Sequence, residues 1–376
     1  MTVKVAILFR NYGPYHLARL QSFLRYCAYF GWEGIGIELT RLGEDYEWKT
    51  HLESFPGSVI SVLGKQQLRE VSFFQLVKQL YKVIENIQPD LIVIAGYSRP
   101  SMLAALGWSR LKQKPAILLS ASKEDDSYRS FVTEALKKAI VSNYKAALVG
   151  GKPQKRYCIK LGIPAERIFL GYNVVGNEVF HPQKISSLRK PFNFPYFLAI
   201  NRFIPKKNLL FLLSSYNTYY KKAGEKALHL VLCGDGELRP QIEKKIKELD
   251  LSNLVHLTGF LQQDELLPYF AHASGFVHAS IQEQWGLVVN EAMAAGLPVL
   301  VSNRCGCYED LVIEGITGFG FDPENSQQLT SLMLKMTSGE VELSKMGNAA
   351  LEHIQKFSPN YFAKGLSQAI QYTLNH

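Results

Sequence analysis

Cysteine is scarce in this chain of 376 residues: five are present, at Cys27, Cys158, Cys233, Cys305 and Cys307. An odd number with no pair of CxxC motifs excludes a disulfide framework and a zinc ribbon. The Cys305-Gly306-Cys307 fragment has no His ligand nearby and reads as packing. Long hydrophobic runs are missing too. Stretches such as Phe197 to Ile200 and Leu209 to Leu213 fall far short of the roughly 20 apolar residues that a membrane span needs. The N-terminus carries no signal-peptide pattern, so the expectation is a cytoplasmic protein. There is no tandem repeat and no low-complexity tract. No Asp-x-Asp follows a strand to hold a divalent cation on a phosphate, so neither a metal nor a resident cofactor is expected.

Negative charge is in deficit as well. Lys and Arg number 42 against 33 Asp and Glu, a net +9. That balance favours anionic partners, among them nucleotide diphosphates and acidic lipid surfaces. A peripheral association with the inner face of a membrane is compatible with it. Nucleic acid is not expected, because no nucleic-acid motif accompanies the charge.

What is present is an alternation of short apolar strands and helices from end to end. Val3 to Phe9, Val59 to Leu63, Leu91 to Ala95, Ala116 to Ser120 and Ala146 to Val149 read as strands in the first half. Tyr196 to Ile200, His229 to Cys233, Val255 to Thr258, Gly275 to His278 and Pro298 to Val301 do so in the second. Helical spacing lies between them, as in Leu17, Leu20, Phe23, Leu24 and Cys27. The pattern predicts an α/β chain with two doubly wound, Rossmann-like domains. An irregular stretch from Gly171 to Pro195 separates them, which gives domains 1–180 and 181–356. Ser358-Pro359-Asn360 opens a last helix over 357–376, expected to pack back toward the first domain. Ligands in such sheets bind beyond the carboxyl ends of the strands, so the chemistry belongs in the loops that follow them, facing a central cleft.

The richest loop follows the strand Gly275 to His278. It carries Glu283, and Gly286 then opens a helix through Glu291 to Gly296, before Pro298 begins the next strand. The amides of Gly286, Leu287 and Val288 at that helix start, backed by the helix dipole, suit a diphosphate. Glu283 and Glu291 flank this site and can accept hydrogen bonds from sugar hydroxyls. Just past the strand Tyr196 to Ile200 stand Arg202 and Lys207, with Lys206 beside them, where two cations can neutralise a departing diphosphate. Leu232-Cys233-Gly234-Asp235-Gly236 is a further strand-to-helix turn, and Val255 to Leu261 offers Gly259 and Phe260 at another strand end.

Glu283, seven residues, Glu291, then Ala-Met-Ala-Ala-Gly-Leu-Pro-Val resembles the signature of family 4 of the retaining GT-B glycosyltransferases, the glycosyl transferases group 1. The resemblance is tight over the second half, through Gly318-Phe319-Gly320-Phe321-Asp322-Pro323. It implies transfer of a sugar from a nucleotide diphosphate donor, with UDP the expected nucleotide, and with retention at the anomeric carbon. In the family the first Glu contacts the transferred sugar and the second binds the ribose. The Arg and Lys hold the donor phosphates, and the Gly-Asp-Gly turn and the loop at Gly259 and Phe260 shape the nucleotide side.

The first half resembles the family more loosely. After Val3 to Phe9 comes Asn11-Tyr12-Gly13-Pro14-Tyr15-His16-Leu17-Ala18-Arg19, where the family has a glycine-bearing loop against the donor phosphate. Gly13 is the residue for that role, and His16 and Arg19, one turn apart, are expected to face the cleft as acceptor contacts. The loop Ser120 to Arg129 has no His, where many members carry one. It resembles a subgroup with Asp and Arg three apart, which implies Asp126 in catalysis and Arg129 on the acceptor. That acceptor is unidentified: a glycan, a lipid-linked species or a small molecule. Two other readings stand beside transfer. A nucleotide-sugar epimerase shares the layout, and a non-catalytic nucleotide-sugar sensor or scaffold is expected to have lost some of Glu283, Glu291, Arg202 and Lys207, all of which are present.

Overall fold

The computed structural model describes residues 2–42, 55–126 and 129–376, so Ser127 and Tyr128 of the loop before Arg129 lie outside the described residues. The chain forms two compact units. The first comprises Met1–Gly176 together with Phe357–His376, and the second Asn177–Lys356.

The first unit is built on β1 (Val3–Phe9), β2 (Trp32–Glu38), β3 (Val59–Ser61), β4 (Leu91–Ala95), β5 (Ala116–Ser120), β6 (Ala146–Val149) and β7 (Ile168–Leu170). They pair in parallel in the order β3-β2-β1-β4-β5-β6-β7. The order reverses between β1 and β4, which puts the loops after those two strands at the switch point. Leu91, Ile92, Val93 and Ile94 are fully buried, as expected of a parallel strand covered on both faces. Strand β2 escapes the sequence pattern because Gly34 and Gly36 interrupt it. Those glycines serve packing: a Cβ at Gly36 would come within 2.9 Å of the Tyr12 ring, and one at Gly34 within 2.9 Å of Leu24.

The helix Pro359–Asn375 docks on this unit, burying Phe362, Leu366, Ala369 and Ile370 against Val5, Ile7, Leu91 and Val93. Gly365 allows the approach, since a Cβ there would lie 2.1 Å from the Leu170 carbonyl oxygen.

The second unit holds β8 (Tyr196–Ile200), β9 (His229–Cys233), β10 (Val255–Gly259), β11 (Gly275–His278), β12 (Val299–Ser302) and β13 (Gly318–Phe321). The order is β10-β9-β8-β11-β12-β13, again all parallel, with the reversal between β8 and β11. Its core packs Phe197, Leu230, Val277 and Leu300 under Leu212, Tyr216 and Met333 from the helices. Strand β13 was not read from the sequence, because its Gly-Phe-Gly-Phe has no β-branched residue. Gly318 is required there, since a Cβ would stand 2.0 Å from the Val299 carbonyl oxygen.

Candidate functional site

The switch point of the second sheet gathers the sequence motifs into one place. Asn201 donates to the Cys233 carbonyl at 2.9 Å, and Phe203 to that of Asp235 at 2.8 Å, which locks the Arg202 loop onto the Gly-Asp-Gly turn. Gly234 and Gly236 have φ of 133° and 155°, and a Cβ on Gly234 would come 1.8 Å from the Asn201 carbonyl oxygen, so glycine is the residue that fits. Gly234 also donates to Gly259 at 2.8 Å, which draws in the end of β10, where Phe260 is 43% exposed.

On the other side of the switch, Ile281 donates to the Lys206 carbonyl at 3.0 Å and ties the loop after β11 to the short 3-10 turn Pro205–Lys207. The same loop is held from below, where Gly306 donates to Glu283 at 3.1 Å and Cys307 to Trp285 at 3.1 Å. The Cys305-Gly306-Cys307 stretch therefore serves as a backbone brace, and both of its cysteines are buried.

These ties bring Lys207 and Glu283 into a direct ion pair, with side chains only 12% and 15% exposed. Reading the sequence assigned them to separate contacts, on phosphate and on sugar; in the fold they engage each other. A third residue joins them that sequence reasoning missed. His278, wholly buried at the end of β11, sets Nε2 3.4 Å from the Glu283 carboxylate and 3.2 Å from Ser280 Oγ. Its Nδ1 is buried without a hydrogen-bond partner. An orphaned lone pair costs less than an orphaned N–H, so we assign the proton to Nε2, where it can be donated to Glu283. The available signal was a histidine five residues before Glu283, at a strand end.

Electrostatics follow the packing. Burial works against an ionised Glu283, but the His278 hydrogen bond and the Lys207 charge outweigh it and hold the carboxyl well below the usual range. Burial keeps His278 neutral by lowering its pKa, and the nearby Lys207 adds to this.

Helix Leu287–Ala294 begins immediately after this cluster, with Gly286 at its cap in the left-handed region, φ 103°. The amides of Leu287 and Val288 open the helix and have no intrahelical carbonyl to donate to, which leaves an anion-binding end beside Lys207. Glu291 follows one turn in and is 3% exposed. Trp285 and Asn290 fix the helix start through a 2.8 Å hydrogen bond. Among the described residues no group of three or more His, Cys, Asp or Glu is arranged to hold a metal ion.

In the first unit the expected residues divide. Gly13 caps helix Pro14–Phe30 and donates to His16 Nδ1 at 3.3 Å, so the neutral His16 ring carries its proton on Nε2. Burial, with the Arg19 charge, takes the His16 pKa down to about 3. Glu38, at the end of the overlooked β2, accepts the Tyr12 amide at 3.0 Å and steadies the same loop.

Arg19 corrects the sequence reading. It turns inward at 3% exposure, donates through Nε and Nη2 to the Val174 carbonyl at 3.1 and 2.9 Å, and lies over the Tyr172 ring. One turn of helix separates His16 from Arg19, but the segment after β7 passes over the latter. Asp126 and Arg129 pair with each other; Asp126 also accepts the Lys123 amide at 3.1 Å, and Arg129 donates to the Glu124 carbonyl at 2.8 Å and covers Tyr157. That arrangement clamps the turn before helix Phe131–Val141.

Residues 181–353 match the family described as glycosyl transferases group 1. The match takes in Arg202, Lys207, Glu283 and Glu291, all on the second unit. The chain is similar to the amylovoran biosynthesis glycosyltransferase AmsK of Erwinia amylovora, at 26% identity over 57% of this chain and 53% of that protein. It is likewise similar to the 2-deoxystreptamine N-acetyl-D-glucosaminyltransferase of Niallia circulans, at 26% over 69% and 70%. The chain thus spans about half the length of the first of these relatives. Among solved structures, HepE of Anabaena in complex with UDP and glucose aligns with a TM-score of 0.76 at 19% identity, over 98% of this chain and 99% of that one. Sucrose-phosphate synthase from Thermosynechococcus elongatus gives 0.75 at 20%, over 99% of both. The fold of the whole chain is accordingly GT-B.

Proposed function

We propose that this chain is a glycosyltransferase that moves a sugar from a nucleoside diphosphate donor, UDP in the first instance, onto an acceptor hydroxyl with retention of anomeric configuration. The observation that carries the reading is the Lys207–Glu283–His278 cluster beside the open amides of Leu287 and Val288, at the switch point of the second sheet. A donor diphosphate seated on those amides draws the Lys207 ammonium toward it, with Arg202 beside it on the same loop. Glu283, kept ionised by its partners, accepts hydrogen bonds from the sugar, and Glu291 takes the ribose.

As the bond to the anomeric carbon breaks, negative charge grows on the leaving diphosphate, where the released Lys207, Arg202 and the helix amides neutralise it. The diphosphate oxygen then accepts the acceptor's proton on the same face, which gives retention. Two cations and a helix end neutralise the leaving group without a divalent ion, so the reaction proceeds with a chelator present. The choice of UDP is supported by HepE, whose structures contain UDP and UDP-glucose.

The experiment is a thermal-shift screen against UDP, GDP and ADP and their sugar conjugates with a chelator present, followed by acceptor screening and NMR of the product's anomeric proton. A rise in melting temperature with one nucleotide, then an anomeric configuration matching the donor's, is the expected result. Donor binding without transfer or hydrolysis over a broad acceptor panel would assign the chain to the non-catalytic reading, and an inverted product would remove the retaining one.

A further inference from the structure

Helix Phe131–Val141 in the first unit is amphipathic with its faces reversed. At about 100° per residue, Phe131, Val132, Ala135, Leu136 and Ala139 share one continuous arc, and all of them are exposed. Phe131 keeps 89% of its surface in water, Val132 74% and Leu136 62%. The charged pair lies on the opposite side. Glu134 is taken up there by Lys137 at 2.9 Å, by Arg129 at 3.4 Å and by the Tyr157 hydroxyl at 2.9 Å. A contiguous apolar face turned to water marks a surface that something covers.

Charge decides what covers it. Residues 129–160 contain eight Lys or Arg and one acid, the internally engaged Glu134. Arg129 and Lys160 are matched by Asp126 and Glu124 from the preceding turn, and the balance still stays strongly positive. Lys138 is exposed beside the apolar arc. Helix Lys152–Lys160, joined to the first helix through Tyr157 and Glu134, adds exposed Lys152 and Arg156 and a 42% exposed Ile159.

A second copy of the chain packed face to face would set this basic rim against itself. One face of an 11-residue helix is also small against the ~800 Å² per partner of a stable protein interface. Shallow insertion into an anionic bilayer meets both conditions, because apolar side chains enter the headgroup boundary while Lys and Arg face lipid phosphates. We propose that helix Phe131–Val141, flanked by the basic helix Lys152–Lys160, docks the first unit on an anionic lipid membrane. Docking stands independently of the sugar-transfer chemistry.

The test is co-sedimentation of the full chain with phosphatidylcholine vesicles and with vesicles containing about a third phosphatidylglycerol. The expected result is binding to the anionic vesicles alone, reversed by high salt. The triple variant Phe131→Ser, Val132→Ser, Leu136→Ser should weaken binding by about tenfold or more while keeping the wild-type melting temperature. In Phe131→Trp, the new indole's emission should shift to the blue on anionic vesicles and be quenched by brominated acyl chains. No binding to anionic vesicles, equal binding to both compositions, or wild-type binding by the folded triple variant overturns the proposal. So does a concentration-dependent dimer that the triple variant loses, since that would give the face to a second copy.

Discussion

Lys207 and Glu283, 76 residues apart in sequence, form an ion pair across the point where the strand order of the second sheet reverses. Adjacent strands β8 and β11 deliver them, and a donor diphosphate would compete with Glu283 for the ammonium. Lys207→Ala should therefore lower kcat/KM by the equivalent of about 2–4 kcal/mol, as for the loss of one preorganised donor. Glu283→Gln should chiefly lower kcat. Because the two groups touch, the double variant should fall short of the summed losses by about 0.5–3 kcal/mol. Strict additivity in steady-state kinetics would show that the pair does not act as a unit.

The pH dependence of stability separates His278 from Glu283. His278 has a lowered pKa in the fold, so its contribution is complete above the ordinary histidine value of about 6.5 and is lost as the pH falls below it. Glu283 is also lowered, and its contribution is present above the ordinary glutamate value of about 4.3 and declines below that. Melting temperature followed from about pH 8 to pH 3 should thus fall in two stages. His278→Phe should shrink the first, which the buried His16 shares with its own lowered pKa, and Glu283→Gln should shrink the second. His278→Phe should also lower turnover at pH 7, since Glu283 loses a buried donor. An unchanged upper stage in His278→Phe would refute the assignment.

How far the sequence could be read follows from what each signal depends on. The bounds of β1, β4, β5, β6, β8, β9 and β11 were legible because each is a short apolar run ending at a turn residue. β2, β7 and β13 were not, since glycine or brevity hides the pattern, and with β2 went Glu38 and its grip on Tyr12. Arg202, Glu283, Gly286 and Glu291 were legible as a motif in one stretch or at one strand end. The Lys207–Glu283 pair required knowing that the first and fourth strands of the second sheet are neighbours, a relation of topology. Arg19 misled for a similar reason: helical spacing gives a side chain's direction from its own axis, but not what another segment lays over it.

Arg19 and His16 accordingly part company. Arg19→Ala leaves the buried Val174 carbonyl without its donors and should cost about 1–3 kcal/mol of stability, with little change in acceptor KM. His16→Ala should raise acceptor KM with a small loss of melting temperature. Because the His16 pKa lies near 3, its effect should be flat between about pH 6 and 8. Denaturant titration and acceptor kinetics on the two variants check this, and the opposite assignment of effects would restore Arg19 as an acceptor contact.

Two glycines at the site should respond to alanine in different ways. Gly234 adopts φ 133° and faces a backbone oxygen 1.8 Å from where the methyl would go. Neither Asn201 nor the strand behind it can yield without breaking the 2.9 Å bond to Cys233, so Gly234→Ala should destabilise by more than about 4 kcal/mol and yield little folded protein. Gly286 also has positive φ, 103°, but a Cβ there meets only ordinary contacts: His278 Nε2 at 3.5 Å, then Cys307 Sγ and Glu283 Cγ at 3.6 Å. Only backbone strain is added, about 1–2 kcal/mol, so Gly286→Ala should fold. Its methyl would stand among the groups that set Glu283, at the mouth of the helix whose amides are proposed to receive the diphosphate. Calorimetry on Gly286→Ala should therefore show weaker UDP binding in a protein with a near-normal melting transition. Wild-type affinity in that folded variant would move the diphosphate away from the start of helix Leu287–Ala294.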